Sequence, residues 1–424
     1  MHENSLRTSP VWDMLSAYGK RMVLLADGVL GQTAQARREA YAFNATLGEA
    51  WENGEGMYLA SVHRALAGFP PGEVYPYAPP AGLPELRRRW REKALAENPS
   101  LAGKAVGLPV VCAGLTHGLS LLASLFLDPG DPVVLHDKHW ENYDLIFETA
   151  SQGRLVSYPT FSDCRFHVEG LRESVLSCPG EKVFVVLNFP NNPTGYMPSA
   201  EEADAIAGAL EEAARAGKRI TVLCDDAYYG FWYGGGAMEE SLFGRLAGIH
   251  PNLLAIRLDG ATKEYFAGGL RLGFITYGGQ PEEILSDLEN RTAGAIRMQI
   301  SSSSHFAQAF LLRCLDAPEA RRELEEKRRR LAERGRRAME LCRQGSRAGL
   351  WRAYPFQAGY FICLHVETDS ESLRRHLLRQ YGMGVIALGG NDIRIALPCL
   401  ELPELERLFQ TLDQAIREVE ETRA

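Results

Sequence analysis

Polar side chains able to bind anions or move protons stand at the ends of several apolar runs along the chain. Six of them occur in this order: Asn192, Asp225, Tyr228, Lys263, Arg271 and Arg394. Taken singly, each has an ordinary structural explanation, since turns, helix caps and surface charges use the same residue types. Their occurrence together, each at the end of a predicted strand, favours a single chemical site.

These residue types suit the binding of small anions and the transfer of protons. An arginine binds a carboxylate or phosphate through two parallel hydrogen bonds that a lysine cannot reproduce. A lysine amine with the ordinary pKa of about 10.4 is almost fully protonated at pH 7 and is therefore a poor base. Burial or covalent attachment would have to change this before Lys263 could accept a proton.

The apolar runs that precede these residues are typical of buried strands in an α/β domain. Between about residues 105 and 275, short runs rich in Val, Ile and Leu alternate with segments of helical periodicity. This alternation favours a largely parallel sheet buried on both faces, whose ligands bind beyond the carboxyl ends of the strands. The predicted strands cover residues 110–112, 132–135, 155–157, 182–187, 220–224, 253–258 and 272–276.

A second unit, of α+β type, is predicted beyond about residue 300. Residues 305–345 have the pattern of one long helical region, and a strand is expected at 360–366, with shorter strands near 385 and 393. Helices are expected at 370–381 and 402–420. We therefore divide the chain into an N-terminal arm with part of the small domain (1–60), a large domain (61–300) and a small C-terminal domain (301–424).

The composition argues against several classes of protein. The 424 residues carry a formal net charge of −8 and are 46% hydrophobic, which disfavours a nucleic-acid binder and wholesale disorder. The best apolar run near the N-terminus, residues 22–26, is too short for a membrane span or a signal peptide. Eight scattered cysteines form no CxxC pair and no metal pattern, so we expect a cytoplasmic protein with reduced thiols and no metal site.

The ordered polar set resembles that of the class I aminotransferases, fold type I pyridoxal-phosphate enzymes, over residues 44 to 400. The resemblance implies a large domain with a mostly parallel seven-stranded sheet flanked by helices, a smaller α+β domain, and a homodimer. It also implies pyridoxal 5'-phosphate as cofactor. The implied reaction is a ping-pong transfer of an amino group between an L-amino acid, with aspartate or glutamate as candidates, and a 2-oxo acid.

The resemblance gives individual residues their roles in proton transfer and substrate binding. Lys263 is similar to the lysine that binds the cofactor's aldehyde and later moves the proton at the substrate Cα. Asp225 is similar to the carboxylate that keeps the pyridinium nitrogen protonated. Tyr228 and Asn192 resemble residues that hydrogen-bond the ring's phenolic oxygen, with Asn192 also near the substrate. Arg394 resembles the arginine that binds the α-carboxylate.

Contacts with the cofactor's phosphate follow from the same resemblance. Arg271 would bind the phosphate directly. Gly114, Leu115 and Thr116 lie where a strand gives way to a helix, so their backbone amides could hold a dianion. Tyr77 resembles the tyrosine that reaches the phosphate of the neighbouring subunit.

Three further residues are implied around the ring and the substrate. Trp140 would stack on the cofactor ring, and Gly48 resembles a glycine near the substrate. Arg297 falls where aspartate aminotransferases carry the arginine that binds a distal carboxylate from the neighbouring subunit. Each also has a structural alternative, which is respectively core packing, an ordinary turn, and a positive charge at a helix C-terminus.

The chain departs from the family pattern at two positions. Gly260 stands where a serine often binds the phosphate, and Thr262 could replace that hydroxyl in part. Leu115 stands where a small residue is usual, which leaves backbone donation intact. The family also implies that the Asn192–Pro193 bond is cis.

Two other functions remain open from the sequence. The first is another reaction on the same cofactor, such as that of a β-lyase or an aminocyclopropane-carboxylate synthase, because the scaffold residues do not fix which bond at Cα breaks. The second is a non-enzymatic regulator with an aminotransferase-like domain. Only about 40 residues precede the matched region, and they show no helix-turn-helix pattern, so we favour the aminotransferase.

Overall fold

A sheet of seven strands forms the centre of the larger unit. The computed structural model describes residues 7, 9–22, 28–346 and 348–423. The strands are β1 (Val110–Cys112), β2 (Pro132–His136), β3 (Arg154–Tyr158), β4 (Lys182–Asn188), β5 (Arg219–Asp225), β6 (Leu253–Asp259) and β7 (Gly273–Gly278). They lie in the spatial order β1-β7-β6-β5-β4-β2-β3, and β7 runs in the opposite direction to the other six. The predicted fold class is confirmed.

Burial on both faces explains why these strands are continuous apolar runs. In β4, Val183, Val185 and Leu187 enter one hydrophobic cluster, whereas Phe184 and Val186 enter the cluster on the opposite face. Successive side chains of a strand point to opposite faces, so both faces of β4 are covered by packed helices. This arrangement leaves the carboxyl ends of the strands as the place for polar side chains.

A four-stranded antiparallel sheet forms the centre of the smaller unit. Its spatial order is β8-β9-β11-β10. The two-residue strand Phe43–Asn44 pairs in parallel with Met383–Gly384, which joins part of the N-terminal arm to this unit. The strands are β8 (Trp351–Ala353), β9 (Phe361–Val366), β10 (Ile386–Leu388) and β11 (Asp392–Ala396).

Helices cover both sheets. One prediction is wrong: the region 305–345 is not one helix but two, because Pro318, which has no backbone N–H to donate, begins a new helix. The helices of four or more residues are Pro10–Met14, Ala17–Arg21, Val29–Glu39, Ala60–Arg64, Pro71–Val74, Pro84–Glu97, Leu115–Phe126, Asp144–Ala150 (a π-helix), Val168–Ser177, Ala200–Arg215, Phe243–Leu246, Ala261–Glu264, Glu282–Ile300, His305–Asp316, Pro318–Gln344, Ser370–Tyr381 and Leu402–Arg423.

The division into domains at residues 60 and 300 stays a prediction. Residues of the His305–Asp316 helix, which that division assigns to the small domain, pack in one cluster with Leu86 and Trp90 of the larger unit. Within the described part of the chain, no helix combines the length and apolar character needed to cross a bilayer. The apolar run at 22–26 lies, apart from Met22, outside the described residues.

Candidate active site

A cavity of about 420 Å³ opens beyond the carboxyl ends of β4, β5 and β6. It receives side chains from the large sheet, from β11 of the smaller sheet and from the N-terminal arm. The sequence placed the polar set at this edge of the sheet, and the structure brings it together there. The predicted residues that line the cavity are Gly48, Leu115, Thr116, Trp140, Asn192, Asp225, Tyr228, Lys263, Arg271 and Arg394.

Asp225, the last residue of β5, is a buried carboxylate without a cationic partner among the described residues. Tyr143 donates a hydrogen bond to its Oδ2 at 2.6 Å, and the Ala227 N–H donates to its Oδ1 at 3.1 Å. Burial raises the pKa of the Asp225 carboxyl to about 6. A buried carboxylate of this kind is stabilised by a cationic ring nitrogen, and it would in turn hold that nitrogen protonated.

Lys263 lies in the short helix Ala261–Glu264, which follows β6 directly. Its Nζ donates a hydrogen bond to the carbonyl oxygen of Gly48 at 2.5 Å. Burial lowers the pKa of the Lys263 amine to about 8; Glu49 opposes this shift, and Arg271 adds to it. At pH 7 about one molecule in ten then carries the neutral amine, compared with about one in 2,500 at the ordinary pKa.

Arg394 on β11 is a buried guanidinium whose hydrogen bonds to the described residues all go to neutral acceptors. Its Nη1 donates to Asn192 Oδ1 and its Nη2 donates to the Thr46 carbonyl oxygen, both at 3.2 Å. Its Nε is buried and has no hydrogen-bond partner in that part of the chain, and its guanidinium lies 4.3 Å from the centroid of the Phe361 ring. Burial lowers the pKa of Arg394. A buried cation with an unused donor is suited to a substrate carboxylate.

Arg271 and a helix N-terminus form the anion-binding end of the cavity. Gly114 precedes the Leu115–Phe126 helix at φ +84°, and a Cβ at this position would lie 2.6 Å from Arg271 Nη2. Glycine therefore lets the guanidinium lie against the start of the helix. The first amides of a helix have no intrahelical acceptors, so together with Arg271 they can bind a phosphate.

The absence of a side chain at Gly260 has a steric cause. A Cβ at Gly260 would lie 2.6 Å from the Leu272 carbonyl oxygen and 3.1 Å from Leu115 Cδ1. A serine side chain therefore has no room at position 260. Leu115, the other residue that departs from the family pattern, is one of the groups such a side chain would meet. Thr262 lines the same cavity, and its Oγ1 is buried and has no hydrogen-bond partner among the described residues. Thr262 is therefore available to donate to a phosphate in place of the missing serine.

Aromatic side chains and the Asn192 loop complete the walls. Trp140 packs edge-on against Tyr143, with ring centroids 5.8 Å apart, and Tyr228 packs edge-on against Phe361 at 5.3 Å. Burial raises the pKa of Tyr228, so its hydroxyl remains a donor at neutral pH. The Asn192–Pro193 bond is cis, as the resemblance implied.

Two predicted residues lie away from the cavity. The side chain of Tyr77 is 90% exposed, and Arg297 is exposed near the end of the Glu282–Ile300 helix. Both residues are predicted to act on a neighbouring subunit. Their roles therefore stay predictions. Gly114 contributes indirectly, because the absence of a side chain there leaves space for the Arg271 guanidinium.

Sequence reasoning missed one wall of the cavity. The helix Val29–Glu39, which we call the arm helix, places five residues along it: Val29, Leu30, Thr33, Ala34 and Arg37. Their spacing puts them on one helical face, which was a usable signal. The hydrogen bond from Tyr143 to Asp225 was also missed, because it joins residues 82 positions apart.

The fold and the cavity define a fold type I enzyme of the pyridoxal-phosphate class. Residues 70–412 match the family Aminotransferase class I and II, and the chain belongs to that family. Members of the family depend on pyridoxal phosphate. The described residues fit this cofactor: Asp225 suits its ring nitrogen, Lys263 its aldehyde, and Arg271 with the orphaned Thr262 hydroxyl its phosphate.

Similar proteins carry several aminotransferase names. An aspartate/prephenate aminotransferase of Thermus thermophilus is 30% identical over 252 residues, 59% of each chain. The chain thus spans about three fifths of that relative. A histidinol-phosphate aminotransferase of Dehalococcoides mccartyi is 27% identical over 327 residues, 76% of this chain and 77% of its own.

Solved structures share the fold over nearly the whole chain. An aminotransferase from Anaerococcus prevotii has a TM-score of 0.83 at 24% identity, over 93% of this chain and 97% of its own. Aspartate aminotransferase from Thermus thermophilus with maleate has a TM-score of 0.72 at 23% identity, over 95% of this chain and 99% of its own. At these identities the likeness establishes the fold alone.

Proposed function

We propose that this chain is a pyridoxal-phosphate-dependent aminotransferase that moves an amino group between an L-amino acid and a 2-oxo acid by a ping-pong mechanism. The observation that carries the proposal is the convergence of Lys263, Asp225 and Arg394 on one cavity. A base, a buried carboxylate for a ring nitrogen and a free guanidinium for a carboxylate are the groups this reaction requires.

Each of the three residues has a separate task. Arg394 binds the α-carboxylate and thereby fixes the orientation of the substrate's Cα–H bond, while Asn192 holds the guanidinium in place. The Lys263 amine would take the proton from the substrate Cα and, with pyridoxal phosphate bound, would pass it to the carbon that provides the cofactor's aldehyde. Asp225 holds the ring nitrogen protonated. When bound, pyridoxal phosphate supplies an electron sink for the charge that forms at Cα.

We further propose an acidic amino donor such as aspartate or glutamate. This finer proposal is supported by the names of the relatives, several of which are aspartate/prephenate or aspartate aminotransferases. The name of another relative, a histidinol-phosphate aminotransferase, likewise contains a substrate with an anionic group. A reducing compartment is consistent with the free cysteines among the described residues.

A homodimer is part of the same proposal. Tyr75, Tyr77 and Met298 are 83%, 90% and 78% exposed, so large apolar side chains at and next to both residues predicted to act on a neighbouring subunit are accessible to a second chain. Light scattering should give twice the chain mass of 47.0 kDa. A fully active monomer would contradict the proposed contribution of Tyr77 to a neighbouring site.

The test is a half-reaction screen of the cofactor-loaded protein. Each amino acid is added alone, and the visible absorption of the bound cofactor and the release of the corresponding 2-oxo acid are measured. We expect loss of the absorption band with a stoichiometric 2-oxo acid product, and no reaction in Lys263→Ala. Lys182→Ala, which changes a surface lysine paired with Asp128 and Asp131, is the matched control. Release of ammonia and pyruvate instead would indicate a lyase.

A further inference from the structure

One face of the arm helix forms a wall of the cavity. Leu30, Thr33, Ala34 and Arg37 are related by i, i+3, i+4 and i+7 spacing, and all four line the cavity together with Val29. This spacing places them in one stripe, about 10 Å long from Leu30 to Arg37. The stripe is largely apolar along its first two turns and ends in a guanidinium.

The arm helix is fixed in its orientation by contacts with both units, among them a hydrogen bond from Arg374 Nη2 to Gln35 Oε1 at 3.0 Å. The Gln32 side chain exchanges two hydrogen bonds with the backbone of Ala387 in β10, at 2.8 and 3.1 Å. The carboxylate of Glu141 accepts the Val29 N–H at 3.1 and 3.3 Å, which caps the start of the helix. The stripe is therefore held towards the cavity by both units of the protein.

Arg37 has no acidic partner among the described residues. Arg37 also lines an adjoining cavity that contains three acids. Lys327 and Arg330 contact Glu52, Arg334 contacts Glu401 at 2.7 Å, and Glu404 accepts the Glu401 N–H at 2.8 Å. Glu49 lines the active-site cavity, where its charge partly offsets the lowering of the Lys263 pKa by burial. Arg37 is thus a cation at the cavity with its charge unused.

The other cations of the cavity already have tasks under the proposed function. Lys263 serves as the base, Arg271 binds phosphate and Arg394 binds the α-carboxylate. Arg297, the residue predicted to read a distal carboxylate, does not line the cavity within this chain. If the substrate carries a second anionic group, Arg37 is therefore the cation of this cavity that remains to bind it.

We propose that Arg37 binds an acidic group at the far end of the substrate's side chain, while Val29 and Leu30 contact the methylenes that precede it. The inference rests on the proposed aminotransferase function and names its substrate class as dicarboxylic 2-amino acids. Arg38 is the natural comparison, since it lies next in sequence but lines a separate cavity with Glu39 and Glu371.

The test compares Arg37→Gln with Arg38→Gln in the cofactor-loaded enzyme. Calorimetry measures the binding of glutarate and of pentanoate, which differ only by one carboxylate. We expect Arg37→Gln to weaken the binding of glutarate about tenfold and that of pentanoate less than twofold. Tenfold is the lower end for a charge-assisted pair, as suits an exposed arginine. Arg38→Gln should leave both affinities within twofold, and Arg37→Lys should retain part of the preference.

Turnover provides the second readout. In the wild type, kcat/KM should favour glutamate over norvaline, and Arg37→Gln should remove most of that preference by raising KM for glutamate. Equal weakening of glutarate and pentanoate, or no change in either, overturns the assignment of Arg37. If neutral amino acids react and Arg37→Gln changes nothing, the assignment fails and the aminotransferase proposal stands. If no amino acid reacts while glutarate binding still depends on Arg37, the aminotransferase proposal fails.

Discussion

Lys138 and Asp392 form an ion pair that joins the two units of the protein, with Nζ 2.6 Å from Oδ2. Tyr354 donates to the other carboxylate oxygen of Asp392 at 3.0 Å. Lys138 lies two residues before Trp140, and Asp392 lies two residues before Arg394 on β11. The pair therefore ties the segment that carries the proposed ring-stacking residue to the strand that carries the proposed carboxylate-binding residue.

Asp392→Asn should loosen this connection. The half-buried Lys138 would lose its counter-ion, so we expect the free energy of unfolding to fall by about 1–2 kcal/mol. Because Arg394 would be held less firmly, KM for the amino donor should rise more than kcat falls. Urea unfolding and steady-state kinetics measure the two effects. Asp287→Asn, which removes an exposed pair with Arg291, is the control and should change neither.

The pKa of Asp225, about 6, gives the cofactor-free protein a specific pH dependence. Because this pKa lies above that of an ordinary aspartate, the folded state binds more protons than the unfolded chain between about pH 4 and 6. The free energy of unfolding should therefore fall as pH rises through this window, by on the order of 3 kcal/mol from this group. A cationic ring nitrogen would lower the Asp225 pKa, so loading with pyridoxal phosphate should flatten the slope.

Urea titrations of the cofactor-free and loaded protein at several pH values between 4.5 and 7 measure this slope. Asp226 and Asp259 are also buried with raised pKa values, so the informative quantity is the difference between the wild type and Asp225→Asn. In Asp225→Asn, the free energy of unfolding should no longer show the part of its pH dependence that is attributed to Asp225. Identical slopes in the two proteins would show that Asp225 is not the titrating group.

Much of the site could be predicted because it depends on local patterns. Continuous Val/Ile/Leu runs identified the parallel strands, and residues such as Asp225 and Lys263 follow directly from where β5 and β6 end. The sequence signal for the break at Pro318 was present and was outweighed by the helical periodicity around it. The arm helix could not be placed, because its contact with β10 joins positions more than 350 residues apart. The roles of Tyr77 and Arg297 concern a second chain.

Lys263 of the cofactor-free protein should titrate well below an ordinary lysine. Burial lowers the pKa of its amine to about 8. Its rate of acetylation, followed by mass spectrometry of the peptide that contains it, should therefore be half-maximal near pH 8. Lys182 serves as the internal control: partial burial lowers its pKa, but hydrogen bonds to Asp131 and Asp128 outweigh this and raise it. Parallel pH profiles for Lys263 and Lys182 would contradict the prediction.

Thr262→Val should separate the stability of the protein from its affinity for the cofactor. Thr262 lines the cavity, and its hydroxyl is buried with no hydrogen-bond partner in the described part of the chain. An unpaired buried hydroxyl costs about 1–3 kcal/mol. Replacing it with a methyl group should leave the cofactor-free protein equally stable or more stable. The same change removes the hydroxyl that we propose as a phosphate donor, so pyridoxal phosphate should bind about tenfold more weakly.

Thr292→Val provides the matched control for that prediction. The Thr292 hydroxyl is hydrogen-bonded to the Tyr277 hydroxyl at 2.7 Å and to the Leu288 carbonyl oxygen at 2.8 Å, away from the cavity. Its loss should destabilise the protein by about 1 kcal/mol and leave cofactor affinity unchanged. Urea unfolding of the cofactor-free proteins and fluorescence titration with pyridoxal phosphate measure the two quantities. If Thr262→Val instead destabilises the protein and binds the cofactor as tightly as the wild type, Thr262 is a structural residue and the phosphate is held without it.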